Sequence, residues 1–242
     1  MRPWIAVQVG LALAALASLG ASGAGLETGQ VRVLPVPGGP GWEALEFPSI
    51  PRHTRYTRSQ VDGRAAVASE SECSASALIR LLEGIDLAKT PLLRWDWKAE
   101  RSSEAPDPRS RDGDDFAARV YLMFEFVPEQ ASLWARLRRG LLSADDARRL
   151  PGSALNYVVS GREPPGASWP NPWEPTAHMI SLGAGAIGAW QRAQVDPAAD
   201  YQRVFGRPAP RVIGIGLMTD SDNGCASAAA YFANFAFVPG EG

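Results

Sequence analysis

The chain has 242 residues, 45% of them hydrophobic, enough for one sizeable core and, in an all-β protein, for a single domain. A formal charge of −2 offers no basic footprint for nucleic acid or an anionic membrane. Two of the 24 basic residues, Lys89 and Lys98, are lysines, an arginine bias that reads as genome composition rather than phosphate binding.

The N-terminus reads as a secretory signal. Arg2 supplies a positive charge, Ile5 to Ala21 is an apolar run, and the small residues 21–25 offer a cleavage site, so residues 1–24 are expected to be removed. The apolar run is also close to the ~20 residues of a membrane span, which leaves an uncleaved anchor as the other reading. After cleavage no membrane association is expected, and the location is periplasmic or secreted. Export permits a disulfide between the two cysteines, Cys73 and Cys225, with two buried thiols as the alternative. A metal site on them is not expected, because a closed zinc site wants about four nitrogen or sulfur ligands and only His53 and His178 could add to the pair.

Residues 25–45, rich in glycine and proline, predict a flexible arm, and residues 46–240 the folded domain. Trp42–Phe47 reads as a first strand or turn, His53–Arg58 as a strand, and Asp62-Gly63 as a hairpin turn into Arg64–Ser69. Ser74–Asp86 fits helix or strand spacing and is taken as strand. Pro91–Lys98 alternates cleanly, with Leu93, Trp95 and Trp97 inward and Arg94, Asp96 and Lys98 outward. Residues 100–112, charged and with two prolines, read as a long loop that could shape a binding cleft, with a disordered excursion as the other reading.

Gly113–Phe126 is the stretch that organises the rest. A period of two puts Phe116, Ala118, Val120, Leu122, Phe124 and Phe126 on a core face and Asp115, Arg119, Tyr121 and Glu125 on a polar one, with Asp114 at the strand mouth. A run of acid, base, phenol and acid makes that face the candidate binding site. The other reading is structural, with Asp114 and Asp115 capping a turn and pairing with Arg119.

Helical signals follow at Glu129–Gly140 and from the N-cap Ser143. Leu155–Ser160 and His178–Leu182 read as strands around a Pro-Trp loop at 164–175. Gly183–Gly188 matches G-x-G-x-x-G, but neither a βαβ unit nor a closing acid follows, so no nucleotide cofactor is expected. Asp196 to Phe205, with Gly206 after it, is a short capped helix. Arg211–Met218 is apolar on both faces and so a central strand. The 219–224 turn begins like a calcium loop but is one residue short and lacks the distal Glu, so it reads as an Asx-rich turn. Ala229–Phe237 returns antiparallel with Tyr231, Ala233, Phe235 and Phe237 on one face.

These elements imply an all-β, antiparallel, jelly-roll-like sandwich with short helical insertions. The sequence also resembles a bacterial family known as domain of unknown function 3047. The resemblance is carried in order by Pro91–Lys98, Gly113–Tyr121, Asp200–Gly206 and Gly214–Asn223 running into Ala230–Phe232, over roughly residues 47–238. It implies an exported or periplasmic β-rich protein and no particular activity. Cys225, where a threonine or glycine is expected, and a long 128–151 segment depart from the pattern.

The expected function is binding of a small polar ligand or glycan, with no metal and no cofactor, through Lys98, Asp114, Asp115, Arg119, Tyr121, Asp220, Asp222 and Asn223. Alternatives are a hydrolase or lyase with paired carboxylates among Asp115, Glu125, Asp220 and Asp222, and a structural envelope protein.

Overall fold

The computed structural model describes residues 30–102, 107–130 and 150–240. In chain order its strands are β1 (Arg32–Val33), β2 (Glu43–Glu46), β3 (Arg55–Val61), β4 (Arg64–Glu72), β5 (Ser76–Ile85), β6 (Leu92–Arg101) and β7 (Arg119–Phe124). There follow β8 (Ser153–Val158), β9 (Ser168–Pro170), β10 (Ala177–Ser181), β11 (Gln191–Val195), helix α1 (Pro197–Phe205), β12 (Val212–Met218) and β13 (Ser227–Val238). One sheet runs β11-β6-β13-β4-β3 with β1 added to β13, and the other runs β2-β5-β12-β7-β8-β10-β9. All pairs are antiparallel except β8 with β10, which is parallel. Among the described residues no helix is long and apolar enough to cross a membrane.

The sheets pack face to face as a β-sandwich. Val67, Leu93, Trp95, Trp97, Phe232, Phe235 and Phe237 of the six-stranded sheet meet Leu78, Val120, Leu122, Phe124, Leu155, Tyr157, Ile180, Ile215 and Leu217 of the seven-stranded one. Trp95 reaches across to Tyr157 with ring centroids 5.8 Å apart. Burying such a stripe from each sheet is what makes the two-layer arrangement stable. Consecutive strands cross repeatedly from one layer to the other, as β4, β5, β6 and β7 do, which is the jelly-roll habit.

Several expectations need correction. Residues 32–42 are docked rather than free: β1 pairs with β13, Leu34 and Trp42 are buried, and the Trp42 indole donates to the Pro35 carbonyl at 3.0 Å. Trp42 and Leu34 bury enough apolar surface to hold a glycine-rich segment in place. β13 does not return beside β12; it lies in the opposite sheet between β4 and β6. Its inward face is Ala228, Ala230 and Phe232, then Phe235 and Phe237, because a bulge at Asn234, with φ of 56°, shifts the alternation by one residue. Tyr231 and Ala233 therefore point outward. β11 escaped notice because its sequence, Gln-Arg-Ala-Gln-Val, is that of an edge strand with one buried residue, Ala193.

The Gly183–Gly188 loop leads to β11 and no helix. A side chain at Gly185 would come within 2.0 Å of the Trp97 ring, so that glycine exists for close packing. Helix α1 is as expected, with Asp196 accepting from the Ala199 amide and Gly206 in the left-handed conformation. The helical signals between Glu129 and Pro151 fall mostly outside the described residues; Pro128–Gln130 is a 3-10 turn.

Candidate functional site

Strand β7 begins at Arg119, later than the alternation implied, and the chain from Asp114 to Ala118 is irregular. Parity therefore does not carry back to Asp115. Arg119 lies opposite Met218 of β12 and Val158 of β8, on the outward face of the seven-stranded sheet. Tyr121 follows on the same face, opposite Gly216 and Asn156.

The Arg119 side chain is 2% exposed, and its two terminal nitrogens donate into a compact network. One terminal nitrogen donates to the Asp114 carbonyl at 2.7 Å and to Asp220 Oδ2 at 2.7 Å. The other donates to Asp114 Oδ2 at 3.3 Å and to the Tyr121 hydroxyl at 3.0 Å. Asp220 Oδ1 accepts from the Phe116 amide at 3.3 Å. So Asp114, not Asp115, is the acid that pairs with Arg119.

Asp115 turns instead to the chain opposite, where its two oxygens accept from the Asn223 and Gly224 amides at 3.1 and 2.7 Å. It pins the 219–224 turn against the 114–118 segment. The Thr219 hydroxyl donates to the Ala117 carbonyl at 2.7 Å, Ser221 meets Ser71 at 2.7 Å, and Cys225 is bonded to Cys73. The two bonds to the Asp115 carboxylate are charge-assisted, the stronger kind.

Electrostatics follow from burial. The Asp220 carboxyl is held well above its usual range by desolvation, with the neighbouring Asp114 and Asp115 charges adding to the effect and Arg119 opposing it. Asp114 is raised for the same first reason. Arg119 stays firmly charged: burial works against it, but Asp114 and Asp220 prevail. Half-buried Asp222 is also raised, by desolvation and then by Asp115.

Asp115, Asp220 and Asp222 bring carboxylate oxygens within 4.8 Å of one another, the grouping that a cation would need. Yet both oxygens of Asp115 are engaged by backbone amides, and Asp220 is engaged by the Phe116 amide and the Arg119 guanidinium. A cation would have to share the position with an arginine.

A consequence can be measured on Asp222. Its native carboxyl favours the proton more than the unfolded chain does, so its contribution to stability is present at low pH and lost as pH rises through its raised native value. Asp222→Asn is expected to unfold at the same or a higher temperature than the parent near pH 7, and that advantage should vanish in acid, where Asp222 is itself neutral. An Asn variant destabilised by about 0.5 to 2 kcal/mol at pH 7 would instead mean that the carboxylate caps the turn.

Of the eight residues expected, seven converge here and Lys98 does not. It lies on β6 in the other sheet, paired with Asp62 at 3.2 Å and Glu100 at 3.0 Å. Glu125 follows the far end of β7, about 20 Å from Arg119 at ~3.3 Å per residue. No pair of accessible carboxylates therefore faces a cleft among the described hydrolase candidates, since Asp115 and Asp220 are buried.

The sequence reading missed Trp173, which is 42% exposed. Its backbone amide and that of Glu174 both donate to Asn171 Oδ1 at 2.9 Å. The Arg111 guanidinium stands 4.7 Å from its ring centroid and is itself tied to the Pro172 carbonyl at 3.0 Å. The side chain also lies beside the Asp114 carboxyl and works, with Arg119, against the burial that raises it. An Asx turn at Asn171 was the available signal. Nearby on the same sheet face, the buried Asn156 Oδ1 and Trp169 Nε1 have no protein partner.

The chain belongs to the family described as protein of unknown function (DUF3047), whose model matches residues 40–236. No curated protein matches it. Among solved structures it is similar to a family 11 carbohydrate-binding module from Clostridium thermocellum in complex with a β-1,3-1,4-mixed-linked tetrasaccharide, at TM-score 0.45 and 10% identity over 88% of this chain and 98% of that one. The family 11 module of the Clostridium thermocellum cellulosomal cellulase Lic26A-Cel5E gives 0.38 and 9% over 89% and 90%. The agarase AgWH50C gives 0.33 and 11% over 84% of this chain and 23% of that one.

Proposed function

We propose that this is an exported protein that binds a small polar ligand or a glycan, without catalysis, on the outward side of its seven-stranded sheet. The observation that carries the reading is Trp173. Among the described residues it is the most exposed of the tryptophan, tyrosine and phenylalanine side chains; Asn171 holds its backbone amide, and the Arg111 guanidinium lies on its ring.

An exposed indole that is already ordered loses little conformational freedom when a ligand covers it. It offers an apolar face to the C–H side of a sugar ring, while Arg111 covers part of the ring. Partly exposed Asp222 and Asn223, on the turn that Asp115 pins against the 114–118 segment, offer polar groups to sugar hydroxyls. The buried Arg119 network then acts as a frame, fixing the Asp114 carboxyl beside which the indole stands.

Calorimetric titration with soluble oligosaccharides tests this. Trp173→Ala is expected to weaken binding at least about tenfold, the loss of roughly 1.4 kcal/mol, while its unfolding midpoint stays within about 0.5 kcal/mol of the parent. An unchanged affinity in that variant, or no binding by the parent across neutral, acidic and amino sugars, would remove the reading.

A further inference from the structure

The opposite face of the sandwich carries a second tryptophan with an arginine on its ring. Trp190 directly precedes β11, is partly exposed, and donates its indole N–H to Asp62 Oδ2 at 3.0 Å, across 128 residues of sequence. The Arg64 guanidinium stands 5.0 Å from its ring centroid. Trp173 and Trp190 thus share an arginine on the ring and an aspartate beside the side chain, and at Trp190 the indole N–H is also fixed by that aspartate.

Beneath Trp190 lies a buried ionic support. Asp96 is 3% exposed although it sits on the outward face of β6. It accepts from Arg192 at 2.7 and 3.2 Å, from Asn234 Nδ2 at 2.7 Å, and lies 3.6 Å from Arg64 Nε. Burial alone would raise the Asp96 carboxyl, but the Arg192 and Asn234 hydrogen bonds hold it below its usual range. A charged Asp96 fixes Arg64, and Arg64 fixes Trp190. Tyr231, outward on β13, extends the aromatic surface with its ring centroid 6.3 Å from that of Trp190, and Lys98 stands 5.8 Å from it.

We infer that Trp190 and Tyr231 form a second binding face for a neutral saccharide, on the six-stranded sheet. Charge selects the ligand class. Around the ring, Asp62, Asp96 and Glu100 meet Lys98, Arg192 and Arg64, three anions against three cations, each engaged. A charged ligand would have to break one of these pairs, whereas a hydroxyl can use lone pairs that the carboxylates still have free. A merely structural clasp would equally well bury its indole, as Trp95 and Trp97 are buried. The two faces point away from each other, so one protein would bind two saccharide chains rather than grip one twice.

The test follows the indole N–H signals of the full chain by nuclear magnetic resonance while neutral hexasaccharides of glucose, xylose and mannose are titrated in. The Trp190 signal, assigned by its absence in Trp190→Phe, should move saturably, and should still move in Trp173→Ala. Calorimetry should count two equivalents for the parent and one for Trp190→Ala, with affinity at the lost face reduced at least about tenfold. If the Trp190 signal stays still while the Trp173 signal saturates, or moves only when Trp173 is intact, the second face is overturned and the first stands. If it moves while Trp173→Ala changes nothing, the second face stands and the first fails. No movement of either signal with any of the three sugars overturns both.

Discussion

Arg119→Met should lower the stability of the protein by about 3 to 5 kcal/mol, the cost of removing one partner from a buried ion network and leaving the other charges unpaired. Arg119 gives four hydrogen bonds to Asp114, Asp220 and Tyr121 from a position that is 2% exposed. Methionine fills a similar length, so the loss is of charge and donors more than of volume. Measured by urea unfolding at pH 7.5, the variant should have a markedly lower midpoint, and Arg119→Met with Asp220→Asn should recover part of it.

The pH dependence fixes the cause. Asp114 and Asp220 are raised by burial even with Arg119 present. A carboxyl raised in the native state binds its proton more tightly there than in the unfolded chain, so its contribution is full at low pH and declines as pH climbs through the native value. Without Arg119 that value rises further, and the variant should regain stability on acidification while the parent changes less. A midpoint deficit that is the same at pH 5 and pH 7.5, or below about 1 kcal/mol, would assign Arg119 a packing role only.

Where sequence and structure diverge, the divergences share a physical origin. β12, apolar on both faces, could only be central, and Asp196, Pro197 and Gly206 announce α1 because caps and helix starts are local chemistry. Asp220 and Arg119 were legible as neighbours because each lies at the sheet end where β7 and β12 pair, Arg119 opposite Met218. The choice between Asp114 and Asp115 was not legible. It depends on where the strand begins, and a start several residues too early places the wrong acid beside the arginine. The face of β13 failed for a similar reason, since one bulge at Asn234 inverts every later side chain. Lys98 was assigned to the site by its polar face, but which sheet a strand joins is decided by the whole core. Trp173 and Trp190 escaped because a tryptophan in a loop looks alike whether it is buried or held in solvent.

Replacing Cys73 and Cys225 by alanine together should cost about 4 to 5 kcal/mol, comparable with the whole net stability of many domains. The bond spans 152 residues of sequence, so it removes a long loop's freedom from the unfolded chain. It also acts locally. The Cys73 amide donates to the Ala226 carbonyl at 2.8 Å, the Ala226 amide donates to the Ser221 carbonyl at 3.1 Å, and the next turn residues, Asn223 and Gly224, hold Asp115. Both cysteines have left-handed backbones, φ of 47° and 49°, which a side chain rarely adopts without an external tie. Loss of the bond should therefore lower the urea midpoint and also weaken saccharide binding at the Trp173 face, through Asp115 and its neighbour Asp114, while leaving the Trp190 face untouched. Export belongs to the same result: protein recovered from the host's envelope should begin near residue 24 and titrate no thiol when denatured without reductant. Two free thiols on a chain that still begins at Met1 would sink both the bond and the export, and a double alanine variant within about 1 kcal/mol of the parent would leave the bond present but idle.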